Sequence, residues 1–174
     1  MPDSTDHELA SSFLAFARTR MIGQNWPNLR TCVESLTDEQ IWSRPNEVSN
    51  SVGNLVLHLN GNLGQLFLTI FTGAKDTRDR PREFHAIEQP SGAELLRRLA
   101  PTMEAVDQLL ARLTPEDLLR SYNVSGKQMR GIDLIFRIVE HFGLHYGQII
   151  YITKALTGRD LGFYVEPAKT SPAR

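Results

Sequence analysis

Residues 132–157 read IDLIFRIVEHFGLHYGQIIYITKALT, and this stretch decides the fold. Ile135, Ile138, Val139, Phe142, Tyr146, Ile149 and Thr153 recur at a spacing that, at about 100° per residue, gathers them on one face of a helix. Gly158 follows at once and supplies a left-handed cap. Along one edge of that face lie His141 and His145, in line with Leu134 before them and Ile152 after. Side chains four apart on a helix stack with Cβ atoms about 5–6 Å apart, so two imidazoles so placed can reach one ion.

A second apolar stretch, residues 52–71, carries a stripe of Val52, Leu55, Val56, Leu59, Leu63, Leu66 and Ile70. It begins after the cap-rich SNS at 49–51, and Gly73 lies just past its end. His58 sits at the edge of the stripe, flanked by Asn54 and Asn62 four residues away on either side. Two further long helices are predicted. One spans residues 6–36, with a kink or break near Pro27. The other spans 91–113, where Ser91 and Glu94 have the spacing of a capping box and Pro101 predicts a kink. Thr37 and Thr114 each read as an N-cap between apolar residues, and YNVSGKQMR at 122–130 predicts a hairpin around Ser125 and Gly126. Four long helices with few strand signals make an all-α protein, a four-helix bundle in a single domain spanning 1–174. Its core covers about residues 6–164, and 165–174 form a tail. The long loops at 42–50 and 72–90 are placed to shape a site at one end.

Composition narrows the function. A formal net charge of −1 argues against nucleic acid as a partner, because phosphate recognition needs a basic surface. The one local basic run, DTRDRPREF at 76–84, interleaves Arg78, Arg80 and Arg82 with Asp79 and Glu83 and reads as a solvated loop. Cys32 is the only cysteine, so no intramolecular disulfide is available and a reducing compartment is expected. No secretory leader pattern opens the chain, and no stretch approaches the roughly 18 apolar residues of a membrane span. The expected location is the cytoplasm, with no membrane partner. The G-x-G-x-x-G, Walker A and G-x-S-x-G motifs are absent.

The histidines point to a metal, and the alternative is that each is an ordinary hydrogen-bonded ring at the edge of the core. Three imidazoles on the inward edges of two helices give three nitrogen ligands with open positions, the pattern of a reactive centre, whereas structural zinc sites usually have four ligands. Left buried without partners, each ring would cost about 1–3 kcal/mol. His7 and His85 lie in polar contexts and are set aside. Phe142 follows His141, so this is not H-E-x-x-H, and Glu140 points about 100° away around the helix. The missing E-x-x-H pairs disfavour a carboxylate-bridged di-iron bundle. Gln148 and Asn62 fall on the histidine side, where they could orient a ring or a bound water. Zinc, nickel, iron and manganese all remain open as the ion, because imidazole suits several first-row metals.

The blocks NSVGNLVLHLNGNLGQLF at 50–67 and VEHFGLHYGQIIYITKALTGRDLGFY at 139–164 resemble the DinB/YfiT-like superfamily, and within it a bacterial subfamily of unassigned function. The resemblance covers about residues 13–164. It implies a four-helix bundle in up-down-down-up order, with a long crossover between helices two and three, and metal ligands at His58, His141 and His145. It also implies a homodimer. Relatives include enzymes that use a low-molecular-weight thiol as transferase substrate or isomerase cofactor. The expectation is therefore a divalent-metal-dependent enzyme, a thiol-dependent S-transferase or a hydrolase, acting on a small molecule. The alternative is a non-catalytic stress-related or interaction protein with a structural or vestigial metal site. Trp42, Asn46 and Phe84 are expected on the rim of the site.

Overall fold

α1 (Ser4–Arg18) continues through a π-helical stretch, Thr19–Asn25, into α2 (Trp26–Glu34). These belong to a computed structural model that describes residues 4–85 and 88–163, so the expected tail lies outside the described residues. The chain does not break at Pro27. The helix widens just before it, in the π-helical stretch, and runs on through the proline. α3 (Asp38–Trp42) opens on the expected Thr37 cap, with Gln40 completing a capping box.

α4 (Val52–Leu63) begins at Ser51, whose hydroxyl accepts from the Asn54 N–H while Asn54 Oδ1 accepts from the Ser51 N–H. A second π-helical stretch, Gly64–Thr69, leads to the short α5 (Ile70–Thr72), and Gly73 at φ 71° ends the run. The wider turns shift the apolar phase. Leu66 and Ile70, expected in the core, are only half-buried, while Phe67 between them is fully enclosed.

The crossover holds α6 (Arg80–Phe84), capped by Asp79 with Pro81 in its first turn. α7 (Gly92–Arg112) starts at Ser91, which accepts from the Glu94 N–H. Glu94 does not close a capping box, because its carboxylate is taken by Arg97 and Arg98. Pro101 is exposed and the helix runs through it. α8 (Pro115–Leu119) has a Thr114–Asp117 capping box. The predicted hairpin forms as β1 (Ser121–Val124) against β2 (Lys127–Arg130), turning through Ser125 at φ 52° and Gly126 at φ 85°. α9 (Gly131–Thr157) ends at Gly158, which is left-handed.

The architecture is all-α. α4 packs on α7 and α9, α7 on α1 and α2, and α2 on α9, around one continuous apolar core. Leu29, Phe67, Leu99, Ile135 and Phe142 are among its enclosed side chains. No helix among the described residues is long and apolar enough to cross a membrane.

Candidate metal centre

α4 and α9 face each other, and the amphipathic phase of each turns its histidines to the shared seam. His58 Nε2 lies 3.0 Å from His141 Nε2. The ring of His145 stands edge-on to both others, with centroids 4.5 Å from His141 and 4.9 Å from His58. One nitrogen from each ring lies within 4.8 Å of the others. Two nitrogens on one ion at about 2 Å each are at most about 4 Å apart, so a small inward turn of a ring closes the set. His58 is buried, and His141 and His145 are half-exposed.

The outer nitrogens settle what the inner ones can do. His58 Nδ1 is 2.9 Å from Glu83 Oε2 and 3.1 Å from Arg78 Nη2, which itself donates to that same oxygen at 2.8 Å. The two nitrogens are neighbouring donors to one carboxylate oxygen, which only accepts, so Nδ1 carries the proton. His145 Nδ1 donates to Gln148 Oε1 at 2.7 Å. Both Nε2 atoms are therefore left with lone pairs, and that of His58 faces His141. Burial lowers the proton affinity of His58, against the pull of Glu83. His141 is pushed down to about 4, by burial first and then by the neighbouring His145 and His58. Without a metal, His141 can donate from Nε2 to the His58 Nε2 lone pair at 3.0 Å; once that proton leaves, a nitrogen of each ring is free for one cation. The donor set thus fits a divalent metal.

The crossover supplies what was not anticipated. Arg78 and Glu83, assigned to a solvated loop, are 6% and 7% exposed as side chains and form a two-pronged ion pair: Nε to Oε1 at 2.6 Å and Nη2 to Oε2 at 2.8 Å. Asp76, Thr77 and residues 79–82 of that run remain exposed. The Asp79 cap and Pro81 were the signal for a short helix there. Asn54 does not address a metal position. Its Nδ2 donates to the Glu83 carbonyl at 2.9 Å and ties α6 to α4. Phe84 is at the site, with its ring centroid 5.0 Å from that of His58.

The other expected rim residues stand elsewhere. Trp42 lies against Gly53 and donates from Nε1 to the Pro90 carbonyl at 3.0 Å. Asn46 Oδ1 closes its own turn, accepting from the Val48 N–H and the Ser49 hydroxyl. Asn62 is buried but makes no hydrogen bond to the histidines or Glu83 among the described residues. His85 is exposed and outside the cluster. Beyond the Arg78–Glu83 pair, a cavity of about 680 Å³ opens between α4, the crossover and α7, lined by Gly61, Gln65, Arg98 and Thr102 among others.

The fold is similar to that of a DinB-like protein from Bacillus cereus, with a TM-score of 0.61 over 77% of this chain and 87% of that one, at 17% sequence identity. A likeness at that identity is one of fold. No curated protein matches this sequence. A family model described as protein of unknown function (DUF1572) matches residues 8–165. The chain belongs to that family and has the DinB/YfiT-like fold that its two histidine blocks led us to expect.

Proposed function

We propose that this chain is a divalent-metal-dependent enzyme acting on a small molecule, with His58, His141 and His145 as the metal ligands. The observation that carries this reading is the convergence of imidazole nitrogens whose opposite nitrogens already donate to Glu83 and Gln148. A divalent ion supplies Lewis acidity there and lowers the proton affinity of a thiol or water that reaches it. The protein fixes the ring orientations, and Phe84 gives the site an apolar edge against His58. Glu140 is exposed on α9, and Glu83 is committed to Arg78 and His58, so among the described residues neither carboxylate is free beside the rings to act as a base. That favours a nucleophile needing no protein base, a low-molecular-weight thiol in an S-transfer, over water in a hydrolysis.

Elemental analysis of protein purified without an affinity tag, before and after incubation with zinc, nickel, manganese or iron(II), tests the reading. One ion per chain is the expected result, and content that stays far below that overturns it. His145→Ala should weaken zinc binding by more than about a hundredfold, exceeding the loss from an outer partner, with an unchanged helical circular dichroism spectrum. Equal binding by the variant would remove His145 from the ligand set.

We also propose a homodimer through α9, where Phe136, Leu144 and Tyr151 are exposed on the same helix as Gly143 and Gly147, at which an added Cβ would meet nothing within 4 Å among the described residues beyond the adjacent helix backbone. Sedimentation equilibrium at micromolar concentration should give twice the chain mass, and a single species of 19.7 kDa refutes it. We assign the protein to the cytoplasm. Cys32 is a buried thiol whose pKa is pushed up to about 11 by burial, and a lone thiol of this kind suits a reducing compartment.

A further inference from the structure

A buried ion pair is a poor way to gain stability, because desolvating two charges costs about what their attraction returns, and well-packed apolar residues often do better. Arg78 and Glu83 nonetheless form one in the crossover, and four features of the fold serve it. Gly61 on α4 leaves the space it needs: a Cβ there would meet Glu83 Oε1 at 2.1 Å and Arg78 Nε at 3.1 Å. Asn54, one helical turn before His58, holds the Glu83 backbone carbonyl. Gln65, in the π-helical stretch after α4, accepts from Arg78 Nη1 at 2.9 Å and donates to Asp76 Oδ2 at 2.7 Å. Asp76 Oδ1 in turn accepts from the Arg78 backbone N–H at 2.9 Å. The chain of bonds ends at a single functional atom, His58 Nδ1.

We propose that Glu83 is a positioning residue for the metal site, deepening and resting on the metal-dependent reading above. Its carboxylate holds the proton of His58 on Nδ1 and so keeps the Nε2 lone pair directed at the ion. Arg78 keeps that carboxylate in place, and Gly61 is the slot through which the crossover delivers it. The two oxygens of Glu83 serve three N–H groups: Nε and Nη2 of Arg78 and Nδ1 of His58. A glutamine offers one acceptor oxygen for the same three donors, so Glu83→Gln preserves the shape and breaks the function. Gly61→Ala displaces the carboxylate without altering any proposed ligand or Glu83 itself.

The test is zinc affinity of the metal-free protein, by competition with a chromophoric chelator, for wild type, Glu83→Gln, Gly61→Ala and the double variant. Circular dichroism checks that each is folded. Each single change should weaken zinc binding about ten- to a hundredfold, the range for partners of metal-bound histidines. The double variant should be no weaker than the weaker single, because both act through one carboxylate. Long-range nitrogen–proton correlation spectra of the metal-free protein should show His58 protonated on Nδ1 in wild type and a loss of that form in Glu83→Gln. Wild-type affinity in Glu83→Gln, or losses that simply multiply in the double variant, would overturn the role of Glu83 while leaving the metal site standing. Failure of wild type itself to bind zinc, nickel, manganese or iron(II) would overturn both.

Discussion

The facing helices α4 and α9 and the crossover between α4 and α7 build one site by opposite means. The helices contribute His58, His141 and His145 through periodicity: each apolar stripe repeats over several turns, and a histidine at its edge is carried into the seam with it. The crossover contributes Glu83 and Arg78 with no repeating pattern. One glycine, one asparagine and one glutamine on or just beyond α4 receive them. Helical burial is thus spread over many replaceable contacts, whereas the crossover depends on a few specific ones. Substitutions in the apolar stripes of the helices should register in stability, and those in the crossover in metal affinity.

Phe67→Ala should have the largest effect. The ring is fully enclosed where the π-helical stretch shifts the stripe, and deleting it should cost about 3–5 kcal/mol. Leu66→Ala, beside it and half-buried, should cost clearly less. Urea unfolding followed by circular dichroism compares the two. Equal losses would mean that the phase shift after Leu63 has no energetic consequence.

A pair of identical substitutions sharpens the contrast. A Cβ at Gly131 would meet the backbone oxygen of Asp117 at 2.1 Å, the same approach that a Cβ at Gly61 makes to Glu83 Oε1. A backbone carbonyl beneath α9 cannot step aside, so Gly131→Ala should lose about 1–3 kcal/mol, the usual cost of overpacking, and leave zinc affinity near wild type. At Gly61 the obstacle is the end of a side chain, which can move. That variant should lose less stability and more affinity. If both variants fall equally in urea and neither changes zinc binding, the division between scaffold and crossover fails.

The same division explains how much was legible in the sequence. The four long helices, the caps at Thr37, Ser51, Ser91 and Thr114, and the Ser125–Gly126 turn are local events, each decided within a few residues. The histidines could be placed because their phase against neighbouring apolar residues is a local property too. The π-helical stretches are not recognisable as such: the one before Pro27 gives only the signal of a kink or break, and the one after Leu63 leaves composition unchanged and alters only the phase downstream, as Phe67 shows. Arg78 and Glu83 were misread because alternating charges in DTRDRPREF are the pattern of a solvated segment. Their burial follows from a pairing with each other and with a helix some twenty residues away, and no local signal encodes it. The demand could have been inferred from the other side: a histidine that binds metal through one nitrogen needs an acceptor at the other. Neither Asn54, which holds the Glu83 carbonyl, nor Asn62 supplies that acceptor to His58 among the described residues.

Gln148→Ala should have the smallest effect and measures what burial adds. Gln148 serves His145 as Glu83 serves His58: an oxygen accepts from Nδ1, at 2.7 Å in one case and 2.9 Å in the other. The two differ in setting. Gln148 is neutral and exposed on α9, whereas Glu83 is charged, buried and held by Arg78. When the glutamine is removed, water can take its place on His145 Nδ1, and an exposed ring loses little by the exchange. Glu83 is less easily replaced, because its side chain is buried and its loss leaves the buried Arg78 charge without a carboxylate. Zinc affinity should therefore fall about tenfold in Gln148→Ala, the low end of the range for such partners, and Gln148→Glu, which keeps an acceptor in reach, should restore it. Chelator competition on the metal-free proteins reads both. A loss in Gln148→Ala as large as that in Glu83→Gln would show that the acceptor alone matters, and that the buried crossover adds nothing to it.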